Sequence, residues 1–377
     1  MTKIATVLGT RPEAVKLAPL ISALDGQKTD FSVVTVATGQ QRNGFAETLH
    51  ALTLEIDRWL DVLTPGQPLW KLNARLLDAL GNLFDEINPD LVLVQGDTQS
   101  ALAGAMAGAL RQTPVAHVEA GLRSGNIKAP FPEELNRRSI AQIANLHFAP
   151  TRDAAAHLTN EGIPRDAIAV TGNTVVDSLN RFCPPSTSQA SRENRRQIIV
   201  TSHRRESWNS GLDNICKAVR ELARVCAGAD ILFVLPSSPE LRRRITAALC
   251  DIPAVRLAEP LAYPRFLAMV AEADIVLTDS GGVQEETATL GVPTVVMRNE
   301  TDRPEGLALP HTQLSGTEPG AIVTATMNMM AKPSSGRRGG RAGPFGDGRS
   351  AERIVRALDN WRVGRWPLLS REEEFCG

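Results

Sequence analysis

Lys3-Ile4-Ala5-Thr6-Val7-Leu8-Gly9-Thr10-Arg11-Pro12-Glu13-Ala14-Val15-Lys16-Leu17 is the stretch that decides the fold class. An apolar run over residues 4–8 ends at a glycine, and residues with helix-start chemistry follow. Thr10 and Glu13 stand at capping-box spacing, and Pro12 falls in the first turn, where its missing N–H costs nothing. The pattern reads as a β-strand handing over to a helix across residues 14–24. Outward from it, short Val- and Ile-rich runs recur at 31–37, 91–95, 115–118, 146–149 and 168–171. Helical patterns such as residues 100–110 separate them, which is the βα alternation of a mostly parallel sheet covered on both faces.

A second series of strand-like runs starts at 198–200 and continues at 231–235, 255–257, 275–277 and 294–297. Between the two series, residues 183–196 turn to Pro, Ser, Thr, Gln, Asn and Arg, the composition of a linker. The expected architecture is therefore α/β, with two Rossmann-like doubly wound domains facing a cleft. The Pro-, Ser-, Gly- and Arg-rich stretch 332–343 reads as a surface loop, and residues 350–361 as a closing helix.

Composition narrows the function classes. A chain of 377 residues suffices for two full cores. With 41 basic and 42 acidic residues it carries no global field for nucleic acid or a membrane surface, so anion binding must be local. No apolar run is long enough to span a bilayer, and the first residues make too short a run for a signal peptide. The five cysteines show no metal spacing or disulfide framework, which fits a reducing cytoplasm.

Ligands of open parallel sheets gather beyond the carboxyl ends of the strands, and polar residues cluster at those ends. After the run 275–277 come Ser280, a plausible N-cap, and Gly281-Gly282, which would let a phosphate approach the first helical turn. Glu286, one turn on, could accept hydrogen bonds from a ribose diol. Arg11 and Lys16 project from the mouth of the first strand and could neutralise a diphosphate. Asp97, Glu119 and Glu133 form a candidate acid cluster for proton transfer, with Arg123 and Arg137 near enough in sequence to balance it. His117 lies in an apolar strand pattern and reads as core. His203 ends the strand at 198–200, poised for acid/base work or a phosphate contact.

Together these segments resemble the non-hydrolysing UDP-N-acetylglucosamine 2-epimerases. The motifs that carry the resemblance are Gly9-Thr10-Arg11-Pro12-Glu13-Ala14 with Lys16, Gln95-Gly96-Asp97-Thr98, His117-Val118-Glu119-Ala120-Gly121-Leu122-Arg123, and Pro132-Glu133-Glu134 with Asn136-Arg137. They continue through Thr171-Gly172-Asn173-Thr174-Val175, His203-Arg204-Arg205-Glu206-Ser207, Thr278-Asp279-Ser280-Gly281-Gly282 with Gln284-Glu285-Glu286, Arg303-Pro304-Glu305, and Pro344-Phe345-Gly346-Asp347-Gly348. The resemblance implies the glycosyltransferase-B architecture, with residues 1–182 as a first domain rejoined by the C-terminal helix 350–377 and residues 183–349 as a UDP-binding domain. It implies reversible epimerisation of UDP-GlcNAc and UDP-ManNAc at C-2, a homodimer, and no metal or nicotinamide cofactor. By the same implication Arg11, Lys16, Ser280, Gly281, Gly282, Glu286 and Arg303 hold UDP, while Asp97, Glu119, Glu133, Arg137 and His203 surround the sugar.

The chain departs from the family pattern at several places. Gln41 follows Gln40 where the family usually has histidine, and Leu235-Pro236-Ser237-Ser238-Pro239 is short and lacks a family histidine. Ser202 and Pro310 stand where glycine is usual. In bacterial relatives the two histidine segments help bind a regulatory UDP-GlcNAc, so substrate activation is expected to be weakened or absent here.

Overall fold

A computed structural model describes residues 1–27, 30–41, 44–64, 66–183, 196–202, 210–332 and 343–377. His203, most of the 183–196 linker and nearly all of the 332–343 stretch lie outside the described residues. The chain divides into two compact units, Met1–Arg181 with Phe345–Gly377, and Phe182–Pro344.

In the first unit the elements are β1 (Thr2–Leu8), α1 (Arg11–Asp25), β2 (Phe31–Ala37), α2 (Phe45–Ala51), β3 (Arg58–Trp59), α3 (Leu69–Ile87), β4 (Leu91–Gln95), α4 (Gln99–Leu110), β5 (Val115–Val118), α5 (Glu133–Ile143), β6 (Leu146–Ala149), α6 (Arg152–Asn160), β7 (Ile168–Val170) and α7 (Thr174–Phe182). The strands form one parallel sheet in the order β3-β2-β1-β4-β5-β6-β7. The order reverses between β1 and β4, so this is where a ligand crevice belongs. The short β3 carries no apolar run of its own and was not legible as a strand; it pairs with Val36 and Ala37 at the sheet edge.

The sequence dictates how closely helices approach this sheet. In α4, Gln-Ser-Ala-Leu-Ala-Gly-Ala-Met-Ala-Gly-Ala-Leu, small residues allow burial on nearly all sides. A Cβ on Gly104 would lie 3.1 Å from Val94 and 3.2 Å from Val7, so the helix sits directly on β1 and β4. The core on this face runs through Val7, Val92, Val94, Leu76, Leu80 and Phe84. At the opposite edge the C-terminal tail covers β7. The Phe375 N–H donates to the Val170 carbonyl at 2.8 Å, and Glu374 accepts from the Val170 N–H at 3.0 Å, a means of blunting an exposed strand edge. The last helix, α14 (Ser350–Arg362), begins against α7: Asp177 accepts from the Ser350 and Ala351 N–H groups at 3.2 and 2.8 Å, which satisfies amides at a helix start.

The second unit contains β8 (Gln197–Thr201), α8 (Ser210–Val225), β9 (Asp230–Val234), α9 (Pro239–Leu249), β10 (Val255–Ala258), α10 (Tyr263–Glu272), β11 (Ile275–Thr278), α11 (Gly281–Leu290), β12 (Thr294–Val296), α12 (Pro304–Leu307), β13 (Thr312–Leu314) and α13 (Pro319–Ala331). Its sheet is again parallel, in the order β10-β9-β8-β11-β12-β13, with the reversal between β8 and β11. The edge strand β13, Thr-Gln-Leu, is half-buried along its length and has no apolar run to announce it. Two Rossmann-like domains thus make up the chain. Among the described residues no helix is long and apolar enough to cross a membrane.

Candidate active site

In the first unit, the switch point brings the turn after β1 to the turn after β4. Glu13, on the first turn of α1, is 1 % exposed and links them. Its Oε2 accepts from the Gly9 N–H at 3.0 Å and the Thr10 hydroxyl at 2.7 Å, and its Oε1 accepts from the Thr98 hydroxyl at 2.7 Å. Only half of the expected capping box therefore forms. Thr10 gives its hydroxyl proton to Glu13 and makes no side-chain cap, while Thr98 does cap α4 by accepting from the Ala101 N–H at 3.0 Å. Burial lifts the Glu13 carboxyl from its usual 4.5 to about 7, against the pull of its donors.

Two glutamines complete these helix starts. Gln41 accepts from the Arg11 N–H at 3.0 Å, and Gln40 accepts from the Ser100 N–H at 2.9 Å and its hydroxyl at 2.6 Å. Residue types alone gave no sign of this, since the glutamines lie 30 and 60 positions from their partners. Gly9 is required here by close approach: a Cβ would lie 2.1 Å from Ser100 Oγ and 2.5 Å from Thr38 Oγ1. The Arg11 side chain is half-buried, with Nη1 3.2 Å from the position a Gly44 Cβ would take.

The candidate acids are held individually. Glu119, just past β5, is buried and adopts a left-handed backbone (φ 64°), a conformation that costs a non-glycine residue about 1–3 kcal/mol. Its carboxylate receives the Lys16 ammonium in an ion pair and the Gln95 amide at 2.5 Å. Lys16, expected at the phosphates, is thus engaged with Glu119. Asp97, partly exposed, is gripped from α5: Arg137 Nη2 lies 2.5 Å from its Oδ2, and Asn136 donates to its carbonyl at 2.8 Å. Glu133 is the first residue of α5 and half-buried, three and four positions before Asn136 and Arg137 and so on their side of the helix. Its neighbour Glu134 is fully buried and structural, accepting from the Ser124 N–H and from Arg138 at 3.0 Å each. Arg123 turns away to make a two-pronged pair with Glu161 at 2.8 and 2.5 Å. Of the two arginines expected to balance the acids, only Arg137 is seen to pair with one of them.

His117 is fully buried, and burial lowers its ring to about 4. The neutral ring must carry its proton on Nε2, which donates to the Gly96 carbonyl at 2.8 Å. The core histidine therefore also holds the residue before Asp97.

In the second unit the switch point joins the ends of β8 and β11. Thr201 and Thr278 share a hydroxyl–hydroxyl bond of 2.7 Å, and the Ser202 hydroxyl donates to Asp279 Oδ2 at 2.9 Å. Ser280 occupies the N-cap position of α11, but its side chain makes no cap bond. The two glycines that follow have different reasons. A Cβ on Gly281 would meet the Arg303 guanidinium at 2.7–3.0 Å, whereas a Cβ on Gly282 would have nothing within 4 Å. Gly281 makes room for Arg303, and Gly282 leaves the helix end open.

Arg303 is locked on both sides. Its Nε donates to Glu285 Oε1 at 3.0 Å and its Nη1 pairs with Asp302, which also takes Arg298 at 3.0 Å. Glu286 is buried beside Tyr263, the sole tyrosine, whose phenol is pushed well above its usual value by burial first and by the Glu286 carboxylate next. Arg303 was expected at UDP; its engagement by Glu285 and Asp302, and the role of Tyr263, were not read from sequence, because the partners come from separate segments. Among the described residues no group of three or more His, Cys, Asp or Glu is placed to hold a metal ion.

These two sites can be compared with known proteins. The family model described as UDP-N-acetylglucosamine 2-epimerase matches residues 23–359. The chain belongs to that family. UDP-N-acetylglucosamine 2-epimerase of Salmonella typhimurium is 38 % identical over 374 residues, covering 96 % of this chain and 99 % of the relative. The crystal structure of UDP-GlcNAc 2-epimerase from Neisseria meningitidis bound to UDP-GlcNAc superposes with a TM-score of 0.87 at 33 % identity, over 95 % of this chain and all of that one. A spinosyn rhamnosyltransferase, at 17 % identity and a TM-score of 0.53 over 98 % of both chains, shares the fold alone. The epimerase family consists of isomerases acting on carbohydrates, and the architecture is of the glycosyltransferase-B kind. Within it the Ser202 hydroxyl anchors Asp279.

Proposed function

We propose that the protein reversibly epimerises UDP-N-acetylglucosamine and UDP-N-acetylmannosamine at C-2 by eliminating and re-adding UDP. The observation that carries this reading is the division of labour between the two switch points. One gathers carboxylates, two of which, Glu119 and Asp97, hold a cation each, and the other presents an open helix start with buried arginines beside it. Support also comes from the relative crystallised with UDP-GlcNAc.

The C-2 hydrogen of the sugar is not acidic, because no carbonyl lies directly beside it. Its removal must therefore be coupled to loss of a leaving group. A base takes the C-2 proton, the C-2 electron pair forms the C-1–C-2 double bond, and UDP departs with the electrons of the C-1–oxygen bond. The product is 2-acetamidoglucal. Re-addition of UDP at C-1, with protonation from the opposite face, gives the epimer. Two proton-transfer groups are needed, and Asp97, Glu119 and Glu133 supply them. Lys16 and Arg137 hold Glu119 and Asp97 in place. Departing charge on UDP is stabilised by the α11 N-terminus at Ser280–Gly282, with Arg11 and His203 as further phosphate contacts and Glu286 on the ribose. Arg303 acts through the helix start it packs against. The enzyme is read as a cytoplasmic homodimer.

Proton NMR of UDP-GlcNAc with the protein in deuterated water tests this without added metal or cofactor. UDP-ManNAc should grow in, with deuterium at C-2. Release of free ManNAc and UDP would overturn the reading in favour of a hydrolase, and an unchanged spectrum would overturn it altogether.

A further inference from the structure

Glu13 is almost completely buried at the first switch point, and the elimination does not use it. Its donors come from both sides of the crevice. Gly9 and Thr10 immediately precede Arg11, and Thr98 immediately follows Asp97. A single carboxylate therefore joins the turn assigned to UDP with the turn assigned to proton transfer. We propose that Glu13 is a positioning residue whose ionisation state sets how firmly these two turns are held in register. The proposal rests on the epimerase reading for what the turns do, but not for the geometry.

The hydrogen-bond inventory gives the reason. An ionised carboxylate only accepts, which suits an N–H and two hydroxyl donors. Once protonated, it carries a donor of its own, and one of its hydroxyl partners must turn round to accept. The Thr98 hydroxyl cannot simply reverse without cost, because its oxygen already accepts from the Ala101 N–H and its own proton would lose its acceptor. The proton on Oε2 therefore goes to the Thr10 hydroxyl, which makes no cap and can turn round, and the Thr98 tether of the Asp97 turn weakens from a charge-assisted bond to a neutral one. The change falls near neutrality, since burial places the group at about 7. The charged groups adjoining Glu13 are committed elsewhere. Lys16, one turn along α1, pairs with Glu119 from the end of β5; Asp97 pairs with Arg137 from α5; Arg11 feels Glu47 from α2.

The test compares the parent with Glu13→Gln and Thr10→Val in kcat/KM for UDP-GlcNAc from pH 5.5 to 9. Thr10→Val is chosen because the Thr10 side chain makes no helix cap, so it removes a donor from Glu13 and little else. The parent should lose activity below about pH 7. Thr10→Val should move that acid limb up by about one pH unit, because a hydrogen bond to a charged acceptor is lost. Glu13→Gln should flatten the limb and lower kcat at pH 8 by roughly ten- to a hundredfold, with KM moving far less, as expected for misplaced reacting groups.

A folded Glu13→Gln protein with the parent's acid limb intact would overturn the proposal. So would a limb unmoved by Thr10→Val, since a merely structural glutamate has no reason to move the pH profile with its donors. If the parent does not turn over UDP-GlcNAc, the epimerase reading fails by itself. The same pH dependence is then read in calorimetric binding of UDP, and its absence there would overturn the role of Glu13.

Discussion

The two sheet reversals of this chain obey one topological rule and build opposite kinds of site. At the β1/β4 reversal, carboxylates dominate, and Glu119 and Asp97 each have a cation delivered from another element. At the β8/β11 reversal, the leading feature is backbone: an N-cap serine whose side chain does not cap, an open Gly282, and an arginine locked behind Gly281. The first suits proton movement, the second suits anion binding. The lesson is that topology chooses where a site lies, while the residues in the turns choose its chemistry.

Measuring kcat and UDP affinity separately tells the two reversals apart. The largest effect is expected for Glu119→Gln or Asp97→Asn, which should lower kcat by about 10²- to 10⁴-fold while calorimetric affinity for UDP stays within a few fold. Equal losses in both would merge the two sites into one. On the other side, Gly281→Ala must displace the Arg303 guanidinium, and UDP binding should weaken about tenfold with kcat little changed. Gly282→Ala has open space and should fold with an unaltered melting temperature. If it also leaves UDP affinity unaltered, the open helix start is not where UDP sits.

A smaller effect concerns pH and stability. Because burial raises Glu13 in the folded state from 4.5 to about 7, its contribution favours folding most at low pH and fades as pH rises through about 7. Thermal unfolding should therefore show Glu13→Gln gaining stability relative to the parent between pH 5 and pH 8. A relative loss over that range would mean that the donors outweigh burial. The smallest effect is expected from Ser202→Ala, which deletes a single hydroxyl on Asp279 and should cost about 1 kcal/mol in denaturant unfolding. A change in turnover larger than that in stability would give Ser202 a part in the reaction.

Legibility in the sequence followed the range of the interaction. The strands of both sheets were readable wherever a Val- or Ile-rich run met a turn, and β3 and β13 were missed because a two-residue edge and a Thr-Gln-Leu edge carry no such run. The motif residues Asp97, Glu119 and Arg137 were singled out from sequence, but which cation meets which acid was not readable: Arg137 pairs with Asp97. Arg123, equally close in sequence to the acids, went to Glu161, and Lys16 went to Glu119. Gln41 was visible only as a departure from a family pattern; the structure shows it capping α1 at Arg11.

The order of residues alone carries the alternation of strands and helices, the chemical types at the strand ends and the family to which they belong. Those features depend on periodicity and on turn chemistry, which act within a few residues. Folding settled which cation meets which acid, why Gly281 must be a glycine, and that Glu13 ties two turns together. Lys16 and Glu119 are 103 residues apart, and Glu13 and Thr98 are 85. Over such distances no local pattern can specify a partner; the sheet order does, by laying β1 beside β4.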